Sequence, residues 1–251
     1  MSIIAGDNLI EITLSIFVPC FNEENDIANT LNDIKEGIKD TNYEILVVDD
    51  ASTDETVEVI EKFKNNNPNI NIKIFRNKKN KGLGFNFWAT THKVTGKYYM
   101  IVFGDGGIPS SEIKKITDSI GKADMILTYF NDKRGFFRKT LSKIFVALIN
   151  FITFNKIKYY NSDNIYLLEN LKLCSEGRSG FGFQAELITE QIRQKKTYIE
   201  VEIKPSFKSK KSLSETSQAL KLHNILSVAG SVILIFLRQI AYAIKKITFN
   251  K

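Results

Sequence analysis

The sequence predicts an α/β fold, a mostly parallel sheet with helices on its faces, and three observations predict it. Short apolar runs alternate with helix-period segments through the first half of the 251 residues. Three of those runs stop abruptly at polar groups: Glu44-Ile-Leu-Val-Val-Asp-Asp-Ala-Ser-Thr-Asp54, Leu14-Ser-Ile-Phe-Val-Pro-Cys-Phe-Asn-Glu-Glu24 and Tyr98-Tyr-Met-Ile-Val-Phe-Gly-Asp-Gly-Gly107. Each has the form of a buried strand carrying polar residues to one sheet edge. In open α/β sheets ligands collect at the carboxyl ends of the strands.

Strands are expected near 12–18, 44–49, 70–75, 98–103 and 123–128, and helices near 24–39, 54–66, 84–95 and 110–121. Asp54 and Ser110 are candidate N-caps, with Pro109 where a helix would begin. Beyond residue 130 the alternation becomes irregular. An apolar helix over Leu141–Phe154 follows the basic segment Lys133–Lys139, and strand-like pieces fall near 157–167. A helix over 182–194 and a strand over 198–203 come next, then the basic, Ser-rich loop Lys208–Ser214.

A final helix is expected over 216–247, with an apolar stripe at 222, 225, 226, 229, 232, 233, 236, 237, 240, 244 and 247. His223, Asn224, Ser227, Ser231, Arg238 and Gln239 mark its other side, interrupted by Val228, Leu234 and Ile235. Arg238 ends the uncharged run from Ile225, which is short of the about 20 apolar residues a spanning helix needs. An interfacial helix is therefore favoured over one spanning near 222–244, and a helix that merely covers the core is the third reading.

The net charge of +7 is unevenly placed: residues 204–251 carry nine Lys or Arg and a single acid, Glu215. Basic residues flanking an apolar helix suit an anionic membrane surface better than nucleic acid. Cys20 and Cys174 lack disulfide-framework or zinc spacing, and Met1–Asn8 lacks the basic and apolar regions of a secretory signal. A reducing compartment and no leader are expected. The sequence contains no Walker loop or Ser-His-Asp order, and His92 and His223 are isolated.

Asn80-Lys-Gly-Leu-Gly84 precedes a helix, where Gly82 and Gly84 would let backbone amides approach a phosphate and Lys81 would add charge; the alternative is an ordinary loop. Gly104, Gly106 and Gly107 around Asp105 would likewise admit a diphosphate. Arg138 and Ser142 lie one helical turn apart and can face one anion. Glu186 is a lone carboxylate on an otherwise apolar helix side, costly to bury unless paired or functional. Asp50 could instead cap its own turn, and Glu24 and Asp26 suit a helix N-terminus electrostatically.

Phe17–Glu24, Val47–Asp54, Asn80–Gly84, Gly180-Phe-Gly-Phe-Gln-Ala-Glu186 and Glu200–Ile203 resemble, in order, the signature blocks of family 2 glycosyltransferases of the GT-A fold. The last two are similar to the dolichyl-phosphate mannosyltransferase-like, polyprenyl-phosphate branch. The resemblance covers roughly residues 12–230. It implies a glycosyltransferase domain over 1–210, its donor half at 12–128 and acceptor half at 129–210, followed by a loop and membrane-associated helix at 211–251. It also implies sugar transfer with inversion from a nucleotide-diphosphate sugar to a polyprenyl phosphate at the cytoplasmic face of a membrane.

Under that resemblance Pro19, Asn22, Glu23, Asp49 and Asp50 hold the nucleoside, with the two glycine loops at the diphosphate. Asp105, Arg138 and Glu186 form the catalytic set, Asp105 also holding Mg²⁺ or Mn²⁺. Arg134, Ser142, Lys208 and Lys211 meet the acceptor phosphate. Two departures stand out. Gly107 replaces the second carboxylate of the usual Asp-x-Asp pair, and Lys208, Lys210 and Lys211 stand where the branch has an Arg-rich loop. The first keeps a non-catalytic nucleotide-binding protein in view, and a glycan or soluble acceptor is the other alternative.

Overall fold

The computed structural model describes residues 12–131, 136–176, 180–206 and 222–249. Strands β1 (Leu14–Cys20), β2 (Tyr43–Asp49) and β3 (Asn71–Arg76) alternate with helices α1 (Ile27–Gly37), α2 (Thr56–Asn66) and α3 (Leu83–Thr91). Then come β4 (Tyr98–Ile101), α4 (Ser110–Thr117), β5 (Met125–Tyr129), α5 (Phe136–Thr153), β6 (Ile165–Leu167) and α6 (Leu168–Lys172). The chain continues through α7 (Phe183–Arg193) and β7 (Tyr198–Glu202) to α8 (Leu222–Phe249).

One sheet has the order β3-β2-β1-β4-β6-β5-β7. All pairs are parallel except those made by β6, which runs antiparallel between β4 and β5. The order reverses between β1 and β4: the chain first winds outward through β2 and β3, then returns to β1's other side. Such a switch point opens a crevice beyond the strands' carboxyl ends.

The strands are continuous apolar runs because both sheet faces are covered. Leu14, Ile16, Val18, Ile45, Val47 and Met100 face α1 and α4 through Ile27, Leu31, Ile34, Ile113 and Ile116. Phe17, Leu46, Val48, Tyr99 and Ile101 face the opposite layer, where Phe87 and Trp88 of α3, Phe183 and Leu187 of α7 and Ile235 of α8 are buried. Phe87 is the hub of this second layer, its ring within 4.8 Å of Phe183 and 5.1 Å of Tyr99.

Several boundaries differ from expectation. Helix α1 begins three residues late because Asn22–Asp26 is drawn onto the 52–56 turn, with Asn22 in the left-handed region (φ 55°). Pro109, not Ser110, is the N-cap of α4, and Glu55 precedes α2 while Asp54 accepts the Thr56 amide at 3.1 Å. Only Ile165–Leu167 of the 157–167 region is strand, and α6 was not foreseen. Residues 216–221 of the expected final helix lie outside the described residues. Among the described residues, the segment Ile225–Lys246 is long and apolar enough to cross a membrane, by length and composition alone.

At the sheet's amino edge, away from the crevice, Glu44 is fully buried. Its carboxylate accepts from Lys73 Nζ (2.7 Å), Ser15 Oγ (2.7 Å) and the Thr95 amide (2.9 Å). Burial would raise its pKa, but those donors outweigh it and hold the group below 4.5. A depressed folded-state value means stability present above that pH and lost as pH falls through the folded value. Glu44→Ala should therefore cost about 2–3 kcal/mol in urea unfolding at neutral pH, and the cost should shrink in acid as the parent loses its own contribution.

Candidate active site

The carboxyl ends of β1, β2 and β4 come together and are tied to one another. The Asn22 amide donates to Ser52 Oγ (2.9 Å), the Glu23 amide to Thr56 Oγ1 (2.8 Å) and the Thr53 amide to Asn22 Oδ1 (2.8 Å). Glu24 Oε2 accepts the Glu55 amide at 3.0 Å, so it serves the start of α2 and not that of its own helix. These bonds join the β1–α1 and β2–α2 loops into one rim. Gly104 joins them to β4: its amide donates to the Pro19 carbonyl (3.2 Å), and a Cβ there would stand 2.9 Å from that oxygen.

Asp49 and Asp50 are both buried but do different work. Asp49 accepts the Ser52 amide at 3.1 Å and pairs with Arg76 Nε at 3.3 Å, so it, and not Asp50, caps this turn. Asp50 reaches the other way. Its Oδ1 accepts the Lys81 amide (2.9 Å) and Asn77 Nδ2 (2.8 Å), and its Oδ2 accepts the Gly82 amide (2.9 Å). The anion at the start of α3 is thus the protein's own carboxylate. Gly82, at φ 87°, makes the turn that aims both amides at Asp50, and Gly84 is buried in the first turn of α3. Lys81 Nζ rests 4.5 Å from the centre of the Phe85 ring.

Beside this rim is a cavity of about 410 Å³, whose polar lining includes Asp105, Gly107, Asn161, Asp163, Arg138 and Ser142. Leu141, Phe145, Phe181, Ile225 and Val228 make the remaining wall strongly apolar. The structure therefore brings together Asp105, Gly107, Arg138 and Ser142 from four-hundred-odd cubic ångströms of shared space. Gly106 has φ +67°, its amide donates to Thr30 Oγ1 (3.0 Å), and its carbonyl accepts from Ser206 Oγ (3.0 Å). The Ser206 amide also donates to the Gly107 carbonyl (2.9 Å), fixing the strand exit beside Asp105.

Asp163 is the residue that sequence reasoning missed. Because β6 is antiparallel to β4, the residues just before β6 lie where β4 ends. Asp163 Oδ1 accepts the Phe103 amide at 3.2 Å and faces the same cavity as Asp105. Burial raises the Asp105 pKa, the Gly107 amide offsets part of this, Asp26 adds to it and Arg138 opposes it. Burial and the Asp105 charge push Asp163 up to about 7, against the Phe103 amide. Asn161 Oδ1, on the same wall, is buried without a hydrogen-bond partner.

Two carboxylates and an orphaned amide oxygen are hard oxygen donors, the set that Mg²⁺ or Mn²⁺ accepts. Among the described residues no three His, Cys, Asp or Glu side chains cluster, so phosphate oxygens and water would complete such a site. Glu186 is buried on α7 and is absent from the cavity wall; Gln184, two residues earlier, lines it instead. Gln184 Oε1 accepts from Asn164 Nδ2 (2.8 Å) and Tyr166 Oη (2.9 Å). Arg134, Lys208, Lys210 and Lys211 lie outside the described residues.

A switch-point crevice with an acid-tipped rim and an adjoining oxygen-lined cavity is the arrangement of a GT-A-like fold. The chain belongs to glycosyl transferase family 2, whose model matches residues 15–185. It is 27% identical over 131 residues to a dolichyl-phosphate beta-glucosyltransferase of Dictyostelium discoideum, covering 49% of this chain and 40% of that protein. It is also 27% identical to the dolichol-phosphate mannosyltransferase of Pyrococcus furiosus, over 52% of this chain and 38% of that one. A Staphylococcus aureus poly(ribitol-phosphate) beta-N-acetylglucosaminyltransferase is 27% identical over 64% of this chain and 30% of its own. The chain thus matches less than half the length of these relatives. In fold it is similar to glucosyl-3-phosphoglycerate synthase of Mycobacterium tuberculosis, solved with Mn²⁺ and UDP (TM-score 0.68, 13% identity, 91% of this chain and 80% of that one).

Asp50→Ala should release the Asn77–Gly82 segment, leaving two amides and an amide side chain without their acceptor. The expected loss is about 2–3 kcal/mol of stability, and amide exchange of Lys81 and Gly82 should rise far more than that of β1.

Proposed function

We propose that the protein transfers a sugar from a nucleotide-diphosphate sugar to a polyprenyl phosphate, with inversion at the anomeric carbon, at a membrane surface. The observation that carries this reading is the composition of the cavity. Asp105, Asn161 and Asp163 supply oxygen donors for a metal–diphosphate, Arg138 and Ser142 of the same lining offer an anion site, and the remainder is apolar enough for a lipid chain. A phosphoglycerate or polyol acceptor would have no use for Leu141, Phe145, Phe181, Ile225 and Val228 on the wall. The relatives acting on dolichyl phosphate agree with this choice. The Staphylococcus aureus relative keeps a glycan acceptor as the second reading.

A lipid phosphate is already ionised at neutral pH, so its oxygen needs no strong base. It attacks the anomeric carbon, the bond from that carbon to the diphosphate oxygen breaks, and the electron pair leaves with the nucleoside diphosphate. Catalysis then consists of positioning and charge neutralisation. Asp105, Asp163 and Asn161 would hold Mg²⁺ or Mn²⁺, which when bound supplies positive charge for the leaving diphosphate. Arg138 adds a fixed cation, and Ser142, one turn along α5, donates to a phosphate oxygen. The Gly106 and Gly107 backbone lets the diphosphate approach closely. Pro19, Asn22, Glu23 and Asp49 form the rim where the nucleoside would sit. In this reading Asp50 and Glu186 shape the site from behind it.

The test is transfer of radiolabel from a panel of nucleotide sugars into organic-extractable lipid, with polyprenyl phosphate and Mg²⁺ or Mn²⁺. Label should enter the lipid phase with one donor and fall at least about a hundredfold in Asp105→Ala. Asp163→Asn should weaken Mn²⁺-dependent binding of the nucleoside diphosphate as well as turnover. Label found only in a glycan acceptor would overturn the lipid reading.

A further inference from the structure

The transfer chemistry makes no use of Gln184, whose side chain is buried in the first turn of α7 and lines the cavity. Which end of its amide faces the cavity follows from groups that can only donate or only accept. The Thr128 backbone amide can only donate, and it meets Asn164 Oδ1 at 2.8 Å. The other end of that side chain, Nδ2, donates to the Tyr160 carbonyl, which can only accept, at 3.2 Å. The same Nδ2 meets Gln184 at 2.8 Å, so the Gln184 atom there is Oε1. Tyr166 Oη donates to that oxygen as well, at 2.9 Å, and burial raises its pKa and keeps it a hydroxyl.

The carbonyl oxygen of Gln184 is thereby occupied from behind. Nε2 is left for the cavity, and no acceptor among the described residues meets it. Asn164 and Tyr166 are wholly inaccessible, and turning the amide over would set Nε2 against their two donors. The anchor, Asn164, directly follows Ser162 and Asp163, which line the same cavity. Under the proposed function Asp163 holds the metal–diphosphate, from which the sugar hangs. An N–H pair fixed in this way can only donate. It matches an oxygen with lone pairs, gives nothing to a bare C–H and opposes an ammonium group. The charged phosphates have Arg138 and a cation; a neutral, rigid amide suits a neutral sugar oxygen.

Resting on the nucleotide-sugar half of the proposed function, we propose that Gln184 is a specificity-determining residue whose Nε2 donates to one oxygen of the sugar being transferred. The enzyme then takes a sugar that carries a hydroxyl or an acyl oxygen at that position. It discriminates against the deoxy and free-amino counterparts, because each leaves the buried N–H pair without an acceptor.

The experiment is calorimetric binding to the full chain, with Mg²⁺, of UDP-glucose, UDP-N-acetylglucosamine and GDP-mannose against UDP and GDP. Monodeoxy and amino-for-hydroxyl analogues of the sugar that adds affinity follow. One deoxy position should cost about ten- to a hundredfold in affinity, the loss expected when a buried hydrogen-bond donor is left unpaired. Gln184→Met, of like length and without a donor, should bind UDP and GDP as before and lose that discrimination. Gln184→Glu keeps an oxygen for Asn164 and Tyr166 and turns the cavity-facing group into an acceptor. It should bind the amino analogue at the same position more tightly than the parent enzyme does, a reversal that a merely structural role would not produce. No added affinity from any of the three sugars, an equal loss for UDP and GDP in Gln184→Met, or unchanged deoxy discrimination in both variants would overturn the proposal. None of these readouts needs an acceptor. Sugar selectivity without lipid transfer would retain the role of Gln184 and reject the lipid reading alone.

Discussion

Carboxylates at the ends of buried strands must find donors inside the protein, and the rest of this structure depends on how they do so. Asp49 and Asp50 are adjacent and both inaccessible, so each would carry a large desolvation cost if left alone. Successive strand residues point to opposite sides. Asp49 therefore closes its own turn and meets Arg76, while Asp50 gathers amides from the next loop. The charge burial that looks like a liability becomes the means of fixing two loops about one edge. The Asn22 bonds to Ser52 and Thr53 add the first loop to the same assembly. A rim made this way is rigid before any ligand arrives, as positional catalysis requires.

The cavity beside the rim has the opposite character. Its acids are only partly offset: burial raises Asp105 against the Gly107 amide and Arg138, and burial with Asp105's charge raises Asp163 against the Phe103 amide. Where Asp50 has three donors, Asp163 has one amide, from Phe103. This contrast separates carboxylates that build the fold from carboxylates that ask for a cation. It also answers the gap left by Gly107. A side chain at 107 would begin with a Cβ 3.1 Å from Asp105 Oδ1. A second carboxylate on the cavity, Asp163, comes from the residues just before β6, and under the proposed function it would take the place of the missing donor.

What the sequence disclosed follows from the range of the interactions involved. Strand ends such as Val48-Asp49-Asp50 and Phe103-Gly104-Asp105 were legible because an apolar run and its polar stop are local. The grouping of Asp105, Arg138 and Ser142 was legible through family resemblance, and the cavity brings these three together. Asp163 was not legible, because its placement depends on an antiparallel strand of three residues inserted between β4 and β5. No periodicity signals so short a strand. The partners of Asp50 were not legible for a related reason: whether it caps its own turn or a loop some thirty residues on is decided by tertiary closure. Gly180 and Gly182 were legible only as part of a signature block, and their close approach to serines of α8 is a tertiary feature.

The last helix shows why an amphipathic pattern alone cannot give orientation. A stripe of apolar residues fixes the angle of a helix about its axis only once the apolar medium is known. In water that medium is the protein core, and the stripe would turn inward. Here the side bearing Ser227, Ser231 and Arg238 turns inward, against glycines and a glutamate that suit it, and the stripe turns out. Such inner packing gives up hydrophobic stabilisation that a stripe turned onto the core would keep, and Ile235 and Val232 supply the apolar part of the contact that remains. The same helix sends Ile225 and Val228 into the cavity lining, so its orientation also shapes the apolar wall beside Arg138 and Ser142.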